Sequence, residues 1–256
     1  MVIAEALAVL AALGLSVLAT LAQVGSGRSR PGQVLFAGAF AAATLAWLAR
    51  LLAGGQAPLQ SLYDVFLTLA ALMYPLAVLC RRLAGATPAA ADPLLMAALL
   101  VPVAFFLPPQ PRPLPPALDS WLFVPHVGAY LLAYVLLVKA SLAGLSALVV
   151  PGRAEADEAV GCRLVGMGFP LLTAGLVLGA LWGQQAWGDW WNWDPKELWS
   201  LATWLLFVLY LHVRGRGPAR RRAAAALLAA GGVLVVVTLL WVNLASRFGG
   251  LHTYAN

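Results

Sequence analysis

Apolar residues occur along the chain in long stretches, and the short segments between them carry most of the charged residues. A membrane-spanning helix needs roughly 20 predominantly apolar residues. Eight stretches approach that length: 2–22, 32–53, 60–80, 92–107, 122–146, 164–183, 197–213 and 223–244. The fourth is the shortest, and two prolines follow it. The pattern predicts an all-α, polytopic integral membrane protein with about eight transmembrane helices.

Composition agrees with this prediction, because 62% of the 256 residues are hydrophobic and only 10% are charged. The first stretch has no basic residue before it and no clear small-residue cleavage site. We therefore expect a retained helix and not a signal peptide. No internal repeat is visible, so we expect one transmembrane domain over residues 1–256.

The basic residues indicate which side of the membrane each segment faces. If the N-terminus lies outside, twelve basic residues fall on the inner side: Arg28, Arg30, Arg81, Arg82, Lys139, Arg153, Arg163, Arg214, Arg216, Arg220, Arg221 and Arg222. Four remain outside: Arg50, Arg112, Lys196 and Arg247. Cytoplasmic segments are enriched in Lys and Arg, so both termini are predicted to lie outside. The net charge of +6 follows from this bias and does not indicate nucleic-acid binding.

Two cysteines, Cys80 and Cys162, fall at predicted inner helix ends, where the reducing compartment disfavours a disulfide. The chain contains no Cys-x-x-Cys-His sequence. It is therefore not expected to carry covalently attached haem of the c type.

Tryptophan is concentrated in one segment. Seven of the ten tryptophans lie between Trp182 and Trp204, and residues 187–194 read Trp-Gly-Asp-Trp-Trp-Asn-Trp-Asp. Flat, rigid, amphipathic rings at this density suit a large flat ligand held at the membrane surface. An interfacial tryptophan belt is the alternative, although belts place fewer rings at each helix end. The topology predicts that segment 182–204 is external.

Two of the three histidines are predicted to lie at the level of this segment. His126 begins the fifth stretch, and His252 follows the eighth. Two imidazoles match the axial ligation of a six-coordinate haem, so both are candidate ligands of haem iron on the outer side. In the alternative interpretation, each is an interfacial histidine bonded to water or to a backbone carbonyl.

The third histidine, His212, ends the seventh stretch near the inner face. It is a candidate metal ligand at an inner site, and a second histidine would have to come from another polypeptide. It is equally compatible with an interfacial histidine beside Arg214.

Asp194-Pro-Lys-Glu197 has the pattern of a helix start, with an N-cap Asp, Pro at the first helical position and Glu at the third. Asp194 is therefore a capping candidate, which is compatible with a part in ligand orientation. The scarce external cations Lys196 and Arg247 suit either the propionates of a haem or lipid phosphates.

Trp187, Gly188, Trp191, Trp193 and Asp194 resemble the WWD signature of haem-handling proteins in cytochrome c assembly. The run that continues to Tyr210-Leu-His-Val-Arg, with Val242-Asn-Leu and Gly250-Leu-His-Thr-Tyr, resembles the CcsA (ResC) branch of system II. The resemblance is specific from about Trp121 to Tyr254. It is loose before residue 110, where Leu62-Tyr-Asp is the only short sequence that matches.

The resemblance implies a role for each matching residue. His126 and His252 would be the outer axial ligands of haem b, and the five WWD residues would form the external haem platform. His212 would ligate haem at the inner side, with its counterpart supplied by a CcsB (ResB)-like membrane protein. The chain looks shorter than many relatives in its external segments and tail, so contacts with the client protein are expected to differ.

We therefore expect a haem-presenting subunit of a cytochrome c synthase complex, in the bacterial cytoplasmic membrane or, if plastid-derived, the thylakoid membrane. It would move haem outward and position it for thioether attachment to the CxxCH motif of apocytochrome c. The resemblance assigns no catalytic residue, since the haem vinyl groups and the client's thiolates carry the bond-forming chemistry. The alternatives are a CcmC-type protein that hands haem to a chaperone, and a non-haem membrane transporter.

Overall fold

The computed structural model describes residues 2–26, 29–85, 90–109 and 118–241, and these residues form helices and connecting turns without strands. Eight α-helices follow one another: α1 Val2–Ser26, α2 Arg30–Gly54, α3 Leu62–Leu83, α4 Ala91–Phe105, α5 Phe123–Val149, α6 Ala154–Trp187, α7 Pro195–Gly215 and α8 Arg221–Val236. A 3-10 turn, Pro218–Arg220, precedes α8, and a π-helical turn, Val237–Trp241, follows it. The predicted all-α class is confirmed.

Seven of the helical segments in this part of the chain are long and apolar enough to cross a membrane. The exception is α4, whose 15 residues span about 22 Å, less than the ~30 Å of a hydrocarbon core. It corresponds to the shortest predicted stretch. Helix α6, with 34 residues, is about 51 Å long and must extend beyond the hydrocarbon. These lengths confirm a polytopic membrane protein.

The helices form two compact units. Helices α1–α4 belong to the first unit, and helices α5–α8 belong to the second together with the short segment Leu83–Gly85. A single haem-handling domain over residues 1–256 stays a prediction.

In the first unit, α1 packs along α2 and α4. Aromatic contacts join α2 to α3, where the Tyr74 ring lies 5.2 Å from the Phe36 ring and 5.3 Å from the Phe40 ring. The Trp47 indole N–H donates a hydrogen bond of 2.9 Å to the Thr68 hydroxyl. These contacts bury a stripe of small residues and aromatic rings between the helices.

The first unit also contains a buried ionic cluster. Arg50 is 6% exposed and pairs with the carboxylates of Glu5 and Asp64. Its guanidinium carbon lies 4.4 Å from the centre of the Tyr63 ring, whose hydroxyl donates to Glu5 over 2.9 Å. Arg50 also donates to the carbonyl oxygen of Pro109. The sequence placed Arg50 among the external cations, but it did not reveal that this charge is buried and paired.

In the second unit, α5 is the central helix, and it packs against both α6 and α8. The contact with α8 is close at Gly144, where a Cβ would lie 2.5 Å from the Leu228 Cβ. Helix α7 packs against α8, with Phe207 fully buried. This arrangement fixes the start of α5 against the C-terminal half of α6.

Candidate functional site

His126 lies in the first turn of α5 and is fixed by the backbone of α6. Its Nδ1 atom is 2.9 Å from the carbonyl oxygen of Gly175. A carbonyl oxygen only accepts hydrogen bonds, so Nδ1 carries the proton and the Nε2 lone pair is the metal-ligating position of the neutral ring. Metal-bound histidines are commonly oriented in this way, through the second ring nitrogen.

The ring of His126 lies in an aromatic environment that α5 and α6 build together. The Tyr130 ring meets it edge-on, with centroids 5.1 Å apart, and the Trp182 ring lies 5.6 Å away. A Cβ at Gly179 would lie 2.7 Å from the His126 Cε1 atom. The imidazole therefore fits only because residue 179 has no side chain.

Aromatic contacts continue from His126 toward the WWD residues. Trp182 is only 1% exposed, and its ring lies 5.8 Å from the Phe123 ring and 5.0 Å from the Trp187 ring. His126 and Trp187 thus both contact one buried indole. Through Trp182, the structure brings the predicted histidine together with Trp187, the first of the WWD residues.

Two helix-capping motifs stabilise the turn between α6 and α7. Gly188 ends α6 in the left-handed conformation with φ of 84°, and its N–H bonds to the Gln184 carbonyl. Asp194 begins α7 by accepting a 2.9 Å hydrogen bond from the Glu197 N–H, and Glu197 accepts from the N–H of Asp194 and of Asn192. The predicted capping box at Asp194 is confirmed.

The rings of this turn differ in exposure. Trp190 is 58% exposed and Trp193 is 66% exposed, and the Trp191 and Trp193 rings meet edge-on at 6.0 Å. Trp193 adopts a positive φ of 58°, which is rare for a residue other than glycine. The capped turn therefore displays apolar rings at the surface in a fixed backbone geometry.

Two donors in the turn are buried without a hydrogen-bond partner among the described residues: the Trp191 Nε1 and the Asn192 Nδ2 atoms. Buried donors of this kind are rare in native structures, because an unmade hydrogen bond is costly. Exposed flat rings beside unsatisfied donors fit a flat ligand with polar groups at its edge. Trp191 was predicted as a site residue from the sequence, but Asn192 was not, and neither was the burial of the two donors.

His212 lies elsewhere in the unit. It is exposed near the end of α7, about 26 Å along the helix from Pro195. Two residues to either side of it, Tyr210 and Arg214 turn toward Glu158 of α6, so His212 points away from α6. The structure does not bring His212 near His126.

Other predicted residues fall outside the part of the chain that the structure describes. His252 and Arg247 belong to them, as does the matching segment 242–254. Pairing of His126 with His252 therefore stays a prediction. Lys196, the other external cation, is half-buried in the first turn of α7.

Sequence reasoning also missed Gly175 and Gly179, and it counted Trp182 in the tryptophan cluster without predicting its contact with His126. Gly175, Gly179 and Trp182 lie at spacings of four and three, which places them on one face of α6. The available sequence signal is a pair of glycines four residues apart in α6. This signal points to His126 only once α5 is known to pack against that face of α6.

The chain is similar to known proteins of cytochrome c assembly. Residues 4–249 match the family described as Cytochrome C assembly protein. The cytochrome c biogenesis protein CcsA of Synechococcus elongatus is 31% identical over 80% of this chain and 81% of its own length. CcsA of Chlamydomonas reinhardtii is 40% identical over 41% of this chain and 33% of its own length, and CcsA of Gloeobacter violaceus is 44% identical over 47% and 35%.

The family match covers nearly the whole chain, including α1–α8 and the WWD turn. The Synechococcus relative exceeds 30% identity over most of both proteins. The chain therefore belongs to the cytochrome c assembly protein family, within its CcsA branch.

Proposed function

We propose that this protein is the haem-presenting subunit of a cytochrome c synthase. Its membership of the family gives it a role in cytochrome c biogenesis. In the proposed role it receives haem from the inner side of the membrane and holds it at the outer face. There it positions haem for attachment to the CxxCH motif of an apocytochrome c.

The observation that carries the proposal is the orientation of His126. The bond from its Nδ1 to the Gly175 carbonyl fixes the tautomer that ligates iron, and Trp182 and Tyr130 restrict the ring. The absence of a side chain at Gly179 lets the ring occupy this position. His126 is therefore the best supported of the proposed ligands, and His252 is its proposed partner.

The WWD residues Trp187, Gly188, Trp191, Trp193 and Asp194 form the proposed platform beside this ligand. The glycine cap of α6 and the capping box of α7 anchor the turn that carries these residues at both of its ends. The buried donors Trp191 Nε1 and Asn192 Nδ2 suit the carboxylates of a bound porphyrin.

Haem, when bound, supplies the vinyl groups that receive the client's thiols. The protein's own residues bind and orient it and exclude competing ligands from the iron. His126 and His252 would occupy both axial positions, and the client's histidine would replace one of them. This account makes the chain a positioning subunit, with the chemistry carried by haem and client.

The proposed complex includes a CcsB-like membrane protein. His212 supports this proposal, because it lies on an exposed face of α7 and is directed away from the neighbouring α6. A second imidazole for an inner haem would then come from the partner. The proposed location is the bacterial cytoplasmic membrane, or the thylakoid membrane for a plastid protein.

The experiment is complementation of cells that lack this chain. The wild-type protein should restore cytochromes with covalently attached haem, detected by haem staining of denatured proteins. His126→Gly should not restore them unless imidazole is added to the medium, since free imidazole can fill the vacant ligand position. Full restoration by His126→Gly without imidazole would refute the proposal.

The same strain separates the haem-presenting role from a CcmC-type delivery role. Co-purification with a CcsB-like protein supports the synthase subunit, whereas co-purification with a soluble haem chaperone supports delivery. A reporter fused after Trp193 should report the outer side, and one fused after Arg216 the inner side. An inner signal after Trp193 would contradict presentation at the outer face.

A further inference from the structure

A cavity opens at the predicted inner end of the second unit, where α6, α7 and the start of α8 meet. It is lined by Glu158, Arg214, Gly217, Pro218 and Arg221, and its volume is about 150 Å³. This is well above the space that one water molecule needs, so the cavity admits several waters or a tetrahedral anion. None of these residues belongs to the WWD turn or to the surroundings of His126.

The charges of the cavity favour an anion held by arginine. Arg214 donates its Nε–H to Glu158 over 2.9 Å, and Arg221 donates from Nη2 to Glu155 over 3.1 Å. A guanidinium has five N–H donors, so each ion pair uses only part of the donor set. The side chains of Arg214 and Arg221 are 41% and 35% exposed, which leaves them accessible to a ligand.

Glu158 holds Arg214 in place at the wall of the cavity. Its own side chain is 6% exposed, and it also accepts a 3.3 Å hydrogen bond from the Tyr210 hydroxyl. The carboxylate thus neutralises one guanidinium while fixing its plane. Two further exposed arginines, Arg216 and Arg220, flank the lining residues Gly217 and Pro218 and add positive charge beside the cavity.

The position of the cavity matches the headgroup layer of the membrane. Helix α6 is about 20 Å longer than a hydrocarbon core, and its first turns carry Glu155, Asp157 and Glu158. These turns therefore lie outside the hydrocarbon, at the interface that the predicted topology makes the inner one. Leu211 of α7 is 38% exposed and lies three residues before Arg214 on the same side of the helix, so apolar surface that suits an acyl chain adjoins this arginine.

We propose that this inner cavity binds the phosphate group of an anionic phospholipid of the inner leaflet. Arg214 and Arg221 hold the phosphate oxygens, as basic pockets between transmembrane helices do for other lipid headgroups. The carboxylates of a haem at His212 are a poor alternative, because His212 and Arg214 point to opposite sides of α7. The proposal does not depend on the haem-presenting function.

The test uses the full-length protein in nanodiscs that contain phosphatidylglycerol and phosphatidylcholine, with retained lipids counted by native mass spectrometry. Arg221→Gln should weaken phosphatidylglycerol retention about tenfold, the loss expected for a charge-assisted hydrogen bond. Arg222→Gln is the matched control, because Arg222 is adjacent and exposed and does not line the cavity. It should retain the lipid like the wild type.

A second variant tests geometry and not charge alone. Arg214→Lys keeps the positive charge opposite Glu158 but loses the planar fork that binds phosphate, so retention should also fall. Equal loss in Arg221→Gln and Arg222→Gln, or no loss in either cavity variant, would overturn the proposal. Displacement of the lipid by millimolar inorganic phosphate would assign the cavity to a free anion and overturn the lipid assignment.

Discussion

The Nδ1 atom of His126 lies 2.9 Å from the carbonyl oxygen of Gly175, so the start of α5 is tied to the C-terminal half of α6. The two residues are 49 positions apart in sequence. The bond fixes both the ring plane and the tautomer of the proposed haem ligand. The surroundings of His126 are therefore where a small change should have the clearest functional effect.

Gly179→Ala should disturb the site through one added methyl group. The new carbon would lie 2.7 Å from the His126 Cε1 atom and 3.0 Å from Nδ1, so the ring must shift away from residue 179 and its bond to the Gly175 carbonyl would be strained. We expect overpacking to cost about 1–3 kcal/mol of stability and to reduce the haem retained by the purified protein. Haem content per protein, measured by absorption, tests this.

Gly166→Ala is the control for that substitution, because the same helix carries Gly166 where a Cβ would meet nothing within 4 Å. It should retain as much haem as the wild type. If both variants lose haem equally, the close approach of Gly179 to His126 is not what positions the ligand.

Asp194 should act mainly as the N-cap of α7. Asp194→Ala removes the acceptor for the Glu197 N–H and should lower the free energy of unfolding by about 1 kcal/mol, whereas Asp194→Asn keeps a capping side chain. We expect Asp194→Asn to retain haem and stability, and Asp194→Ala to lose part of both. Loss of haem in a stable Asp194→Asn protein would instead indicate that the ligand needs the carboxylate charge.

His212→Ala should impair haem loading only when loading proceeds through the CcsB-like partner. Leu205 and Leu209, at 51% and 47% exposure, lie on the same face of α7 as His212 and give a partner helix an apolar surface. Haem added from outside, or imidazole, should restore loading. Arg216→Gln, which removes an exposed charge nearby, should have no such effect. Full cytochrome c maturation in His212→Ala cells without imidazole would refute the inner role.

Arg50→Met tests the buried ionic cluster of the first unit. The substitution leaves the carboxylates of Glu5 and Asp64, 10% and 8% exposed, without their cation. Breaking a buried pair in this way costs about 3–5 kcal/mol, so we expect a marked fall in the thermal unfolding temperature in detergent. Arg82→Met, at an exposed site in α3, is the control. Equal unfolding temperatures for the two variants would contradict a structural role for the cluster.

The sequence predicts the helices better than the contacts between them. Apolar stretches located the helices, although α6 begins at Ala154 and not near residue 164, because its first turns carry charges that an apolar stretch excludes. The capping box was readable because its bonds span three residues. The bonds from His126 to Gly175 and from Arg50 to Glu5 span 49 and 45 residues. Such pairings depend on which helices pack together, and no local pattern encodes that.

The burial of individual tryptophans in segment 182–204 was also not predictable from the sequence. The tryptophans were conspicuous by their number, but burial separates them into different roles. Trp182 is a buried contact of His126, whereas Trp190 and Trp193 are exposed at the turn. Composition alone assigns all three to one cluster.

The absorption spectrum of purified His126→Gly protein, recorded with and without imidazole, tests the central claim most directly. If His126 ligates haem iron, the variant should retain less haem or give a high-spin spectrum, and added imidazole should restore the low-spin spectrum of the wild type. A misfolded variant would not respond to imidazole. A wild-type low-spin spectrum in His126→Gly without imidazole would contradict the assignment of His126 as an axial ligand.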